Sequence, residues 1–92
     1  MITLRIEHPV ADYHSWKVAF YNDPVDRKGS GVRRYYVFQP LDDPNYVIID
    51  LELDTTDEAD ALLQKLRNLW KSVEGKIIFN PKATILKLML TG

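Results

Sequence analysis

Residues 31–53, GVRRYYVFQPLDDPNYVIIDLEL, constrain the fold more than any other stretch of the chain. Two runs rich in Val, Ile, Tyr and Phe, at roughly 32–39 and 46–53, flank Asp42-Asp43-Pro44-Asn45. β-branched and aromatic residues favour a pleated, half-buried surface, and Asp, Pro and Asn favour turns. The segment therefore reads as an antiparallel hairpin.

The flanking sequence extends this reading. Ile2, Leu4 and Ile6 alternate with Thr3, Arg5 and Glu7, the period-two pattern of a strand over residues 2–7. Tyr13, Trp16, Ala19 and Phe20 then share one side of a helix from about Asp12 to Asn22. Asp12 suits its N-cap, and Asp23-Pro24 ends it. Residues 23–31 are polar and glycine-rich and read as a loop. Thr55-Thr56-Asp57-Glu58 is a capping box, and Ala59, Leu62, Leu63, Leu66, Leu69 and Trp70 form a continuous apolar helical stripe after it. Gly75 is placed to end that helix. Residues 77–79 read as a short extended segment, and Ala83–Leu90 as the last strand.

The order is β-α-β-β-α-β across one domain, residues 1–92. Right-handed split βαβ units put both helices on one face of a four-stranded antiparallel sheet, giving a ferredoxin-like α+β sandwich. The other face of the sheet is then open. Tyr46 and Ile48 in the third strand, with alternating apolar residues in the last, make that face apolar enough to need cover. A second copy packed sheet against sheet, forming a dimeric α+β barrel, is the expected partner.

A net charge of −1 offers no electrostatic footprint for nucleic acid or an anionic membrane surface. The absence of cysteine excludes disulfides and thiolate chemistry. No apolar run reaches the length of a membrane span, and the start has no signal-peptide pattern, so a cytoplasmic setting is expected.

The stretch His8-x-Val10-x-Asp12-Tyr13-x-x-Trp16-Lys17-x-x-Phe20, then Gly31-Val32, then Asp42-Asp43-Pro44-Asn45, resembles small dimeric α+β barrel proteins. These are similar to the antibiotic biosynthesis monooxygenase-like domains, some members of which are called cyclases. The resemblance covers about residues 4–70. It implies a dimeric barrel with a pocket between helices and sheet. It also implies cofactor-independent, monooxygenase-like or cyclase-like chemistry on a small aromatic or polyketide-like molecule, with neither metal nor flavin. Where members carry arginine and tyrosine near the end of the second strand, this chain has Phe38 and Gln39. WKSVEGKIIFNPK also departs from the small-residue, proline-rich loop of the group.

Candidate site residues follow from the hairpin and the first helix. If Phe38 pairs with Val47, Tyr36 with Ile49 and Arg34 with Leu51, Arg34 is a cation on the inner face that needs an anionic partner. A ligand carboxylate or enolate would suit its fork. A register shifted by one pairs Arg34 with Asp50 and makes it structural. Arg34, Tyr36 and His14 are the catalytic candidates, as anion stabiliser and proton carriers. Tyr13, Trp16, Phe20, Phe38 and Trp70 are the substrate-binding candidates, the other reading being that they are core filler. His8 and His14 are the only histidines; either could act as a base, or both lie at the surface. Their spacing matches no standard metal pair, and no metal site is expected. The acidic clusters at 42–43 and 54–58 are explained by turn and capping chemistry. The rival to an enzyme is a non-catalytic ligand-binding or dimerisation module, or a protein with no small-molecule site at all.

Overall fold

A computed structural model describes residues 1–92. It contains β1 (Ile2–Pro9), α1 (Tyr13–Tyr21), β2 (Arg34–Phe38), β3 (Tyr46–Leu53), α2 (Thr56–Val73) and β4 (Lys82–Lys87). The four strands form one sheet in the order β2-β3-β1-β4, and each neighbouring pair is antiparallel. This is the ferredoxin-like α+β arrangement that the element order implies.

The local signals act as their chemistry dictates. Asp12 caps α1 by accepting from the Ser15 backbone N–H at 2.9 Å and its hydroxyl at 2.8 Å. These bonds hold the Asp12 carboxyl below its usual pKa. Thr55 caps α2 by accepting from the Glu58 N–H at 3.1 Å. Gly75, at φ 85°, lies just past the C-cap Glu74, in the left-handed conformation that ends many helices. Asp43 accepts from the Asn45 N–H at 3.0 Å, which accounts for the turn aspartate.

Leu4, Ile6, Val47, Ile49, Leu51 and Leu53 form the sheet's inner face and pack with Leu62, Leu63, Leu66 and Trp70 of α2. Leu4, Leu53, Leu62 and Val47 are completely enclosed. The alternation seen in the sequence thus becomes one continuous core.

Three expectations change. First, β1 runs on to Pro9, and Ile78 bridges to Val10, so the extended piece around residues 77–79 closes the end of the sheet. Second, β4 stops at Lys87 rather than Leu90. Its partner β1 is used up there, and the last link is Leu88 N–H to the Met1 carbonyl at 3.2 Å.

Third, the hairpin takes neither register considered above. Arg34 pairs with Glu52, Tyr35 with Leu51 and Tyr36 with Asp50. Tyr35 and Val37 therefore share the inner face, while Arg34, Tyr36 and Phe38 point to the open one. The misleading signal is Val32, which is buried and has the same parity as Arg34. Val32 donates its N–H to the Arg27 carbonyl and belongs to the preceding loop, so the alternation breaks before β2 begins. The 39–45 connection is too long to impose a register as a two-residue turn would.

Candidate functional site

A cavity of about 90 Å³ lies between the helices and the inner face of the sheet. Of its 16 lining residues 13 are hydrophobic, and the other three are His8, Pro24 and Arg27. The sheet contributes Ile6, His8, Ile49 and Leu51, and α1 contributes Trp16, Ala19 and Phe20. Leu66, Leu69, Trp70 and Val73 of α2 form the opposite wall. An apolar cavity of about 150 Å³ can hold benzene, so this one, open along one side, suits one ring at most unless its walls move.

His8 has the same strand parity as Ile2, Leu4 and Ile6, so it faces the helices with them. It is 2% exposed. Its Nδ1 lies 3.1 Å from the Pro9 carbonyl oxygen, which can only accept, so Nδ1 carries the proton of the neutral ring. Nε2 then holds the lone pair. Burial pushes the His8 pKa below its usual value, partly opposed by the bond to Pro9 and by its own backbone. The result is a neutral base in an apolar chamber, available as such to lower pH than an exposed histidine.

Arg27 enters from the loop between α1 and β2. Its guanidinium carbon sits 3.9 Å from the centre of the Phe20 ring and 5.0 Å from that of Tyr35. Nη1 donates to the Phe20 carbonyl at 2.8 Å and lies 3.3 Å from Asp23 Oδ1. Trp16 stacks on Phe20 with centroids 5.0 Å apart, and Tyr35 forms a T-shaped pair with Phe20 at a centroid separation of 5.1 Å. The chain thus sets a cation among aromatic rings, and that cation is Arg27.

Trp16, Phe20 and Trp70 line the cavity, whereas Arg34, Tyr36, His14, Tyr13 and Phe38 do not. Arg34 and Tyr36 belong to the open face because of the hairpin register, and Arg34 Nε approaches Glu52 Oε1 at 3.2 Å. Phe38 lies beside Tyr36 there, with ring centroids 6.4 Å apart. His14 is exposed on α1, on a different side from Trp16. Tyr13 packs against the core edge, 5.9 Å from the Trp16 ring. Parity along β1 was a signal that could have singled out His8. No pattern marked Arg27, because loop geometry alone brings it to Phe20.

The open face is more polar than its apolar residues implied. Arg5 makes a two-pronged pair with Asp50 at 2.8 and 2.9 Å, which raises the Arg5 pKa. Tyr46 donates to Glu7 at 2.7 Å, and this bond with burial pushes its pKa up to about 12. Around these pairs Tyr36, Phe38 and Leu86 remain exposed at 45%, 49% and 36%. No group of His, Asp and Glu is arranged as a metal site. No helix is long and apolar enough to cross a membrane.

The architecture is that of the ferredoxin-like α+β proteins, and solved structures of this class superpose over nearly the whole chain. The structural neighbours include proteins named for antibiotic biosynthesis monooxygenases, the group whose sequence pattern this chain resembles. One from Nitrosomonas europaea, provisionally so named, has a TM-score of 0.74 at 18% identity, covering 98% of this chain and 100% of its own. A second, from Deinococcus radiodurans and also provisionally named, has a TM-score of 0.68 at 14% identity, covering 99% and 95%. A third, from an uncultured marine organism, is described as a dimeric ferredoxin-like protein; its TM-score is 0.66 at 9% identity, covering 100% and 98%. At these identities the likeness is one of fold. No protein-family model matches the sequence, and no curated protein sequence matches it.

Proposed function

We propose that this chain is a cofactor-independent, monooxygenase-like enzyme acting on a small phenol or quinol bound between helices and sheet. The observation that carries the reading is His8, a buried neutral base with Nδ1 committed to Pro9, in a chamber whose only other titratable lining group is Arg27. Nε2 would take the proton from a substrate hydroxyl or an activated ring C–H. Trp16 and Phe20 would stack on the ring, and the Arg27 charge would favour the anion formed. The electron-rich anion then reacts with O₂. In the net reaction of a phenol, a ring C–H becomes C=O as the ring is oxidised to a quinone: one atom of O₂ enters the product, and the phenolic and ring hydrogens leave with the other as water. No external electron donor is needed. The cavity favours a single ring over a polycyclic polyketide.

O₂ uptake with a panel of single-ring phenols and quinols tests this. Wild type and Arg34→Ala should consume O₂ alike, and His8→Gln should lose at least tenfold, within the usual range for a general base. Equal rates in wild type and His8→Gln would overturn the assignment. Binding without any O₂ uptake would instead support the non-catalytic ligand-binding module, a reading favoured by how few polar groups the cavity offers.

We also infer a homodimer through the open face. Tyr36, Phe38 and Leu86 are exposed there, and Leu88 and Leu90 follow β4 at 56% and 91% exposure. Glu52 Oε1 is buried yet accepts no hydrogen bond, since the approach of Arg34 is poorly aligned. A partner sheet would cover the first group and offers donors for the second. Light scattering at micromolar concentration should give about twice 10.7 kDa; a clean monomer would refute it.

A further inference from the structure

We propose that the ligand of the cavity is an aromatic carboxylate, recognised by the free Nε–Nη2 edge of Arg27. The proposal rests on the reading that the cavity binds a ring, and it adds the charge that the ring carries.

Arg27 is the wall between two spaces. It lines the apolar cavity, and it lines a polar groove of about 920 Å³ bounded by the 23–35 segment and α2. Its guanidinium is clamped rather than free. Phe20 supports one face, and Nη1 is held by the Phe20 carbonyl and Asp23. The side chain is only 14% exposed. Yet Nε and Nη2 have no acceptor in the protein, although guanidinium offers five N–H donors in a fixed fork. Neither atom is among the fully enclosed polar atoms that lack partners, so neither is completely shut off from its surroundings. An Nε–Nη2 edge fits the two oxygens of a carboxylate.

The groove's other cations sort by whether they are engaged. Arg33 is bound to Asp54, Arg34 is paired with Glu52, and Lys65 donates to Ser30 Oγ at 2.8 Å. Lys28 makes no ion pair. Lys28 and Lys65 thus keep their charge beside Arg27, whose own carboxylate partner, Asp23, engages only Nη1. Asp23 and Glu58 are the groove's anions; Asp23 occupies the Nη1 side, and Glu58 accepts from the Thr55 hydroxyl. A ring in the apolar chamber with a carboxylate on a short stem at Arg27 satisfies both spaces at once. A neutral ring would leave the fork to water, and a free inorganic anion would leave the chamber empty.

Calorimetric titration with 4-hydroxyphenylacetate, its amide 4-hydroxyphenylacetamide and p-cresol tests the proposal. Wild type should bind the acid about tenfold or more tightly than the amide, as expected for a two-pronged charged hydrogen bond. Arg27→Gln should bring the ratio close to one while p-cresol binding is kept. Should that variant fail to fold, the Arg27 Nε–H resonance of the wild type gives the same answer. The acid should shift it and the amide should not. Equal affinity for acid and amide, or an unmoved Nε–H signal on acid binding, overturns this proposal and leaves the cavity reading intact. Failure of all three compounds to bind overturns both.

Discussion

The two faces of the sheet are built from the same strands and do opposite things with polar groups. On the inner face the one polar residue among the strands' buried positions is His8, kept neutral and surrounded by apolar side chains. On the open face Arg5 is paired with Asp50 and Arg34 with Glu52, and Tyr46 is tied to Glu7. Desolvation explains the contrast. A lone ionised group costs several kcal/mol in an apolar chamber, so a polar group there either sheds its charge, as His8 does, or is paired, as Arg27 is with Asp23. Beside solvent a charged pair costs little and contributes little. A polar residue retained on the costly side of the sheet is therefore the better candidate for chemistry.

Truncating the inner face should have the largest effect. Leu4→Ala leaves a void among fully enclosed neighbours and should cost about 2–5 kcal/mol in denaturant unfolding. The open-face substitution Tyr36→Ala should leave protomer stability almost unchanged and weaken the dimer instead, which dilution-dependent light scattering would detect. A comparable loss of protomer stability for both would erase the distinction between the faces.

His8 should give the next largest effect, through pH. Its folded pKa lies below the unfolded value of about 6.5, so below that pH the unfolded chain binds more protons. Stability should be fully present above about pH 6.5 and fall on acidification towards the folded pKa, by at most about 1.4 kcal/mol per pH unit. His8→Leu should flatten this slope, as read from urea midpoints across pH 4–8.

The open face should respond more weakly. Breaking the Arg5–Asp50 pair in a double-mutant cycle should show a coupling of roughly 0.2–1 kcal/mol, decreasing with salt. Tyr46 titrates in the opposite sense to His8. With its folded pKa raised to about 12 above an unfolded value near 10, stability should decline as pH rises between those values. Tyr46→Phe should remove that component of the alkaline loss. His14→Ala, on the exposed side of α1, should stay within about 0.5 kcal/mol of wild type and leave O₂ uptake unaltered.

The element order, both helix caps, the α2 stripe and the inner alternation of β1 and β3 could all be read from the residues. Each depends on neighbours a few positions away, so local chemistry and periodicity decide it. The aromatic character of the cavity was also legible in Trp16, Phe20 and Trp70. The identity of the cation was not. Arg34 had the right type and apparent parity, but parity is meaningful only within a continuous ladder, and the chain leaves the ladder between Val32 and Arg34. Arg27 sits in a stretch whose composition says only that it is a loop. Its position follows from a stack on Phe20 and a bond to that residue's carbonyl, contacts that exist only once α1, the loop and β2 are packed together. The sequence by itself thus determined the architecture, which is held by short-range pattern. Only the tertiary structure decided which histidine and which arginine meet at the cavity, because the register and the path of the loop are set by long-range packing.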